Sequence, residues 1–197
     1  MRATLARLPG VRLIEPVVHA DARGFFLESY RQDLLPDLGV ADDWVQDNHS
    51  RSGRGVVRGM HFQPGMAKLV RCARGAIYDV VVDVQVDSPT FGQWEGFELT
   101  DADHRQVYCP DGFAHGFCVL SPEADVVYKT SAYWDPATEG GFVYNDPEVG
   151  IAWPAGLELT ASAKDAAAPS LSQLVDRLRE AQERPRGQAR PAEETSR

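Results

Sequence analysis

Short β-type segments separated by turn residues dominate the sequence between Lys68 and Tyr133. The turns are marked by Gly75, Asp87-Ser88-Pro89, Gly92, Asp101, Pro110-Asp111-Gly112 and Ser121-Pro122-Glu123. Short strands at this regular spacing are typical of β-sandwiches and β-barrels. A length of 197 residues suits one domain with a sizeable core. We therefore expect a single, mainly β domain over residues 1–180.

The clearest strand pattern lies between Tyr78 and Val86. One face carries Tyr78, Val80, Val82, Val84 and Val86, and the other carries Asp79, Val81, Asp83 and Gln85. Successive side chains of a strand point to opposite faces of its sheet. The pattern therefore predicts a strand with one apolar face and one mixed face.

Helical patterns are confined to two places. Residues 31–38 form the first and end at Gly39; the second begins at Ser170, and Leu171, Leu174, Val175 and Leu178 follow at helical spacing. Ser170 and Gln173 have the spacing of a capping box. Residues 181–197 lack apolar anchors, so they are expected to form a flexible tail.

The overall charge argues against some classes of partner. A net charge of -9 disfavours general binding to nucleic acid or to an anionic membrane. The three cysteines, Cys72, Cys109 and Cys118, lack metal-type spacing and are odd in number, which favours reduced thiols. Neither a signal-peptide pattern nor an apolar run of membrane-spanning length is present, so a cytoplasmic location is expected.

Two histidines lie in strand-like segments and are candidates for chemistry. His61 follows Gly59, and His115 lies between Ala114 and Gly116. Each could be a hydrogen-bonded core residue, a general base or a metal ligand, because neutral imidazole serves all three purposes. Neither belongs to a His-x-His pair, so metal binding is the second choice.

Three further residues could complete a site for proton abstraction beside a carbonyl. Tyr128 has the parity of an interior residue and could be a proton donor or a buried phenol satisfied by a carbonyl. Lys68 could stabilise an oxyanion or be solvated. Asp165 could orient an imidazole or be a surface charge.

Polar side chains elsewhere could hold a phosphate or a pyrimidine, or could simply be exposed. They are Arg23, Arg58, Gln46, Asn48 and Lys164. Strict alternation would place Arg58 and His61 on opposite faces of their strand. Both can serve one site only if a bulge at Gly59 or a loop reorients one of them.

Ordered motifs identify the chain, from about Leu8 to Leu174, as similar to the dTDP-4-dehydrorhamnose 3,5-epimerases of the cupin superfamily. The motifs are Asp21-Ala22-Arg23-Gly24-Phe25-Phe26-Leu27-Glu28, Gln46-Asp47-Asn48, Arg58-Gly59-Met60-His61-Phe62, Ser88-Pro89-Thr90-Phe91-Gly92-Gln93-Trp94, Gly112-Phe113-Ala114-His115-Gly116-Phe117, Tyr128-Lys129, Asn145-Asp146-Pro147 and Lys164-Asp165-Ala166-Ala167-Ala168-Pro169. The resemblance implies a cupin jelly-roll β-barrel with a few short peripheral helices. It also implies a homodimer, a dTDP-4-keto-6-deoxyhexose substrate, and neither a metal nor an organic cofactor.

The resemblance also assigns roles to residues. It implies that His61 is the general base, Asp165 its carboxylate partner, Tyr128 the general acid and Lys68 the partner of the enolate oxygen. His115 would line the site, and Trp134 could stack on a base or sugar. The residues that would hold the nucleotide, diphosphate or sugar, some of them across a dimer interface, are Arg23, Glu28, Gln46, Asn48, Arg58, Glu139 and Lys164.

Two departures from the family pattern bear on substrate choice. The stretch from His61 to Lys68 is shorter than in many members, and Trp134 stands where the family often has a tyrosine. Epimerisation at both C3 and C5 is the expected activity, and epimerisation at only one of these carbons is the alternative. A metal-dependent cupin oxygenase or isomerase and a noncatalytic sugar-nucleotide binding module are the other candidates.

Overall fold

The computed structural model describes residues 1–182 of the chain. The strands are β1 (Arg2–Leu5), β2 (Arg12–Glu15), β3 (Val18–Asp21), β4 (Gly24–Leu27), β5 (Gln46–Gly53), β6 (Val57–Phe62), β7 (Lys68–Arg74), β8 (Ala76–Asp83), β9 (Trp94–Thr100), β10 (Gln106–Cys109), β11 (Phe113–Val119), β12 (Glu123–Thr130) and β13 (Gly140–Gly141). The helices are α1 (Ala163–Ala166) and α2 (Val175–Gln182), with 3₁₀ turns at Pro36–Leu38 and Ser172–Leu174. Within residues 1–182, no helix has the length and apolar character needed to cross a bilayer.

Two antiparallel sheets enclose the core. One sheet has the order β1-β2-β10-β7-β12-β5, and the other has the order β13-β6-β11-β8-β9. Strands of both sheets contribute to the main core, including Val70 and Val126 from the first sheet and Val81 and Phe117 from the second. The strands β3 and β4 form a separate hairpin. This arrangement confirms the predicted mainly β jelly-roll with short peripheral helices.

The predicted alternation from Tyr78 onward is confirmed, although β8 ends at Asp83. Val80 and Val82 pack in a cluster with Leu171, on the outer side of their sheet. The mixed face is also buried, because Val81 packs in the main core. Asp79 on the same face is fully buried and accepts a hydrogen bond from His115 Nε2 at 2.7 Å. A buried carboxylate on a strand is thus matched by an imidazole on its neighbour.

The first predicted helix is wrong. Residues 31–38 contain only a 3₁₀ turn at Pro36–Leu38, which ends at Gly39 in a left-handed conformation. An α-helix across this segment would need a donor from residue 36 to the carbonyl of residue 32, and proline has no N–H. The helical spacing of the apolar residues is therefore overridden by Pro36.

The predicted capping box is confirmed. The backbone N–H of Ser170 donates to Gln173 Oε1 at 2.9 Å, and the N–H of Gln173 donates to Ser170 Oγ at 3.3 Å. Leu171, Leu174 and Leu178 are buried against the sheet, as their spacing indicated. Helix α2 continues to Gln182, and residues 183–197 of the predicted tail lie outside the described residues.

A bulge in β6 brings Arg58 and His61 onto one face. His61 pairs with His115 on β11, whereas Arg58 pairs with Phe117, so three steps along β6 match two along β11. Partners two residues apart on β11 share a face, and their opposites on β6 therefore share it as well. The bulge that Arg58 and His61 need in order to share a face is therefore present at Gly59.

Replacement of Gly59 by alanine is expected to lower the free energy of unfolding by at least about 3 kcal/mol. Gly59 has a φ of +142°, and an added Cβ would lie 2.6 Å from the Cα of Gly116. Gly65 has a φ of +80° with nothing within 4 Å of an added Cβ. Gly65→Ala is thus the matched control, with an expected loss of about 1 kcal/mol. Urea unfolding measures the free energy of unfolding of both variants. Equal losses in the two would show that the close approach of Gly59 to Gly116 does not determine the cost of the added Cβ.

Candidate active site

A cavity of about 310 Å³ opens between the two sheets. Its walls come from β5, β6, β7 and β12 and from the segments that follow β6 and β12. The lining residues are Gln46, Asn48, His61, Phe62, Gln63, Met66, Lys68, Tyr128, Thr130, Trp134 and Glu139. An imidazole, an ammonium, a phenol and a carboxylate therefore share one cavity.

His61 is hydrogen bonded to a carboxylate at the back of the cavity. Its Nε2 lies 2.7 Å from Asp165 Oδ1, and the backbone N–H of Gly59 lies 3.5 Å from Asp165 Oδ2. Asp165 is buried in the first turn of α1, where its own N–H donates to Ser162 Oγ at 3.1 Å. When the His61 proton is on Nε2, the carboxylate fixes the ring and Nδ1 is the basic atom.

Lys68 borders the cavity at the start of β7. Its side chain is buried, and its Nζ donates to the backbone carbonyl of His61 at 3.0 Å. Burial lowers the pKa of Lys68, while the Cys109 thiol, Glu139 and Asp79 act in the opposite direction. The hydrogen bond to the His61 carbonyl fixes Lys68 Nζ beside the backbone of His61.

Tyr128 reaches the cavity from the opposite sheet. It lies on β12, whereas His61 lies on β6. Burial raises the pKa of the Tyr128 phenol, the charge of Arg58 lowers it, and Glu139 raises it further. Because the net shift is upward from an ordinary value of about 10, the phenol keeps its proton at neutral pH. It can therefore act as a proton donor.

Polar contacts connect the walls around the mouth of the cavity. Gln46 Nε2 donates to Asn48 Oδ1 at 3.0 Å, and Gln46 Oε1 accepts the backbone N–H of Trp134 at 3.1 Å. Lys164 Nζ donates to Glu139 Oε2 at 2.5 Å. Burial raises the pKa of Glu139, but the hydrogen bond and charge of Lys164 and a hydrogen bond from the Trp134 side chain outweigh it, so the net shift of the pKa is downward. Glu139 is thus held as a carboxylate.

Comparison with known proteins identifies the group to which this site belongs. The sequence profile of dTDP-4-dehydrorhamnose 3,5-epimerase matches residues 6–173. The chain belongs to this epimerase family. A dTDP-4-dehydrorhamnose 3,5-epimerase from Salmonella typhimurium is 49% identical over 172 residues, which cover 85% of this chain and 94% of the relative.

Two further relatives extend the comparison. A dTDP-4-dehydrorhamnose 3-epimerase from Streptomyces niveus is 48% identical over 163 residues, covering 81% of this chain and 79% of that one. The epimerase from Legionella pneumophila, solved in complex with dTDP-4-keto-L-rhamnose, superimposes with a TM-score of 0.85 at 43% identity. That match covers 89% of this chain and 95% of the solved one. The resemblance to the family seen in the sequence is confirmed.

Six of the residues selected from the sequence are absent from the cavity lining, although two of these, Asp165 and Lys164, bond to lining residues. His115 is buried behind it with Asp79, and Arg58 donates to Ser52 Oγ at 3.0 Å. Arg23 lies in the β3–β4 turn and pairs with Asp21. Glu28 follows this hairpin and pairs with Arg31. The chain by itself brings neither Arg23 nor Glu28 to the cavity.

Four lining residues were not selected from the sequence as site residues. They are Phe62, Gln63, Met66 and Thr130. Thr130 lies two residues after Tyr128 on β12, so strand alternation predicts that it faces the same side as Tyr128. Phe62 and Gln63 directly follow His61, but Gln63 lies beyond the end of β6, where alternation predicts no direction. Met66 lies in the turn before Lys68 and carried no sequence signal.

The two histidines considered as metal ligands are cross-strand partners, yet each bonds a different carboxylate. His61 bonds Asp165, and His115 bonds Asp79. Within residues 1–182, no three His, Cys, Asp or Glu side chains are arranged so that they could hold a metal ion.

Proposed function

We propose that this protein inverts C3 and C5 of a dTDP-4-keto-6-deoxyhexose by removing and returning protons. One observation carries the proposal: the hydrogen-bonded His61–Asp165 pair and the protonated Tyr128 enter one cavity from opposite sheets. Named relatives with this activity cover nearly the whole domain, which supports the same assignment.

The chemistry requires a base and a group that stabilises negative charge. A ketone at C4 acidifies the protons at C3 and C5, and removal of either proton gives an enolate with its charge on the C4 oxygen. His61 takes the proton while Asp165 stabilises the resulting imidazolium. Lys68, fixed beside His61 by its bond to the His61 carbonyl, stabilises the enolate oxygen.

Inversion requires that the new proton arrive on the other face of the sugar. A sugar ring between the two sheets has His61 on one side and Tyr128 on the other. Tyr128 gives its proton to the carbanion carbon and becomes a phenolate, and His61 holds the proton that it removed. Solvent then returns a proton to Tyr128 and takes one from His61, so each inversion exchanges one substrate hydrogen with water.

The remaining polar residues suit the nucleotide and diphosphate. Gln46 and Asn48 lie two residues apart on β5 and present amides on the same cavity wall. Positive charge near the cavity comes from Arg58, whose charge acts on Tyr128, and from Lys164, which bonds Glu139. They allow an acidic protein to bind an anionic dTDP-sugar.

We also propose that the protein is a homodimer. The β3–β4 hairpin exposes Phe25 and Phe26 to 61% and 68%, and it presents Arg23 away from its own cavity. An exposed apolar arm of this kind needs a covering surface. A second copy would cover it and would bring Arg23 and Glu28 to the neighbouring cavity. Light scattering should give twice the chain mass, and a monomer at micromolar concentration would contradict the proposal.

Substitution of Lys68 by methionine should lower kcat by about 10²-fold with little change in KM, because a donor to the developing oxyanion is lost. Methionine retains most of the buried stem. Lys129→Met is the matched control, since Lys129 pairs with Asp47 and does not line the cavity. Steady-state kinetics measure both variants, and an unchanged kcat in Lys68→Met would contradict the oxyanion role.

The proposed function is tested by proton NMR of dTDP-4-keto-6-deoxyglucose with chelator-treated protein in deuterated water. The C3 and C5 proton signals should both disappear and products inverted at both carbons should form. Activity lost to the chelator and restored by a metal would favour a metal-dependent cupin. Binding without exchange at either carbon would indicate a sugar-nucleotide binding module.

A second candidate function is epimerisation at C3 alone. The 3-epimerase from Streptomyces niveus is almost as similar to this chain as the 3,5-epimerase from Salmonella typhimurium. The same NMR experiment separates the two activities. Loss of the C3 signal with a persistent C5 signal would replace double epimerisation by the single reaction.

A further inference from the structure

Gln63 connects two walls of the cavity through both ends of its side-chain amide. Its Nε2 donates to the carbonyl of Tyr133 at 2.9 Å, and its Oε1 accepts the N–H of Asp135 at 2.9 Å. Gln63 is 7% exposed and lines the cavity. A buried amide whose donor and acceptor both bond the same distant segment fixes that segment in position and orientation.

The segment that Gln63 holds, Tyr133–Asp135, belongs to no strand or helix. It lies between β12 and β13, and its side chains Tyr133 and Trp134 are 70% and 54% exposed. Its remaining described backbone contact with the barrel is the bond from Trp134 N to Gln46 Oε1. Two glutamine side chains, Gln63 and Gln46, therefore hold the backbone at residues 133, 134 and 135 through one hydrogen bond at each residue.

The same segment determines where two cavity residues lie. Trp134 is itself part of the lining. The Asp135 carbonyl accepts the N–H groups of Thr138 and Glu139 at 3.1 and 2.9 Å, so Asp135 begins the turn that delivers Glu139 to the cavity. Fixing the N–H of Asp135 thereby fixes both the indole wall and the carboxylate that follows it.

Gln63 is also placed to couple this wall to the proposed base and oxyanion partner. It follows His61 by two residues, within a link of six residues between His61 and Lys68. The Gln63 carbonyl accepts the N–H of Met66 at 3.1 Å, which closes a turn in this link. The link is short, so Gln63 can move little without moving one of its neighbours.

We propose that Gln63 is a positioning residue for the substrate, which holds the Tyr133–Asp135 segment so that Trp134 forms a fixed wall of the sugar-nucleotide site. Trp134 provides a flat apolar face on which a sugar or pyrimidine ring can pack. Gln63 acts through this wall and takes no part in proton transfer. The expected effect is therefore on KM more than on kcat, and this kinetic part rests on the proposed function.

The test compares Gln63→Ala with Gln93→Ala, an exposed glutamine outside the cavity. Loss of both amide bonds should raise KM for the 4-keto sugar nucleotide by about 10-fold, with kcat within about threefold of wild type. Gln93→Ala should match wild type in both constants. Gln63→Glu keeps the acceptor for Asp135 but not the donor to Tyr133, and its KM should be intermediate.

A second readout follows Trp134 without turnover. The chain has four tryptophans, so the contribution of Trp134 to the fluorescence must be isolated. It is the difference between the signal of each protein and the signal of the same protein that also carries Trp134→Phe, and its quenching by acrylamide is then measured. Quenching should increase in Gln63→Ala and stay unchanged in Gln93→Ala. If Gln63→Ala does not fold, KM and the quenching of Trp134 fluorescence are measured on Gln63→Glu instead, and these values test the proposal.

Failure of this proposal and failure of the proposed function give different results. Unchanged quenching together with unchanged KM in a folded Gln63 variant would overturn the positioning role. A large fall in kcat at constant KM would also overturn it, because Gln63 would then act in the chemical steps. Wild-type protein without turnover would overturn the function, while the quenching comparison would still decide the role of Gln63.

Discussion

Substitution of His61 by asparagine should abolish solvent exchange at both C3 and C5 and lower kcat by about 10⁴-fold. His61 is bonded to the buried Asp165 carboxylate, while the ring borders the cavity. Asparagine can keep a hydrogen bond to Asp165, but it cannot accept a proton at neutral pH. Proton NMR in deuterated water measures the exchange at each carbon separately.

His49→Asn is the matched control for this substitution. His49 also lies against a carboxylate, since its Nε2 is 3.3 Å from Asp125, but its side chain is 60% exposed and outside the cavity. This variant should exchange and invert at the wild-type rate. Exchange at either carbon above about one-hundredth of the wild-type rate in His61→Asn would show that another group is the base.

Substitution of Tyr128 by phenylalanine should nearly abolish inversion, by about 10³-fold, while exchange of the first proton continues. His61 still forms the enolate, and its imidazolium exchanges with solvent before returning a deuteron to the original face. The substrate should therefore gain deuterium without a change in configuration. NMR distinguishes the two events, because exchange removes a proton signal and inversion creates new product signals.

Tyr144→Phe provides the control. Tyr144 lies outside the cavity, where its ring packs against Trp153 at a centroid distance of 6.3 Å, and its carbonyl accepts the Trp153 indole N–H. Phenylalanine preserves both contacts. If Tyr128→Phe inverts C5 as fast as Tyr144→Phe, the proton donor is another group.

The local parts of the fold were accessible from the sequence because their causes are local. Alternation along β8 follows from strand geometry, and the reciprocal bonds of Ser170 and Gln173 follow from their spacing. Residues 31–38 show where one local signal overrides another. Their apolar spacing predicts a helix, but the missing N–H of Pro36 prevents it.

The candidate site depended on contacts that no local pattern contains. His61 and Asp165 are 104 positions apart, and strand periodicity gives no information about such a pair. The shared face of Arg58 and His61 required a bulge, which Gly59 made possible but did not specify. The contacts of Gln63 with residues 133 and 135 likewise arise from tertiary packing. The chemistry of their side chains made His61, Asp165 and Arg58 candidates, and the family resemblance assigned their roles, but neither pointed to Gln63.

The order of residues along the chain has a consequence for the protein during its synthesis. Every strand of the described structure precedes Asp165, whereas His61 is made before half of the strands are complete. A nascent chain can thus form much of its barrel while the imidazole still lacks the carboxylate that orients it. The pair closes only after α1 has left the ribosome. Chains that stall before Asp165 is made should therefore be inert if His61 is the base that we propose.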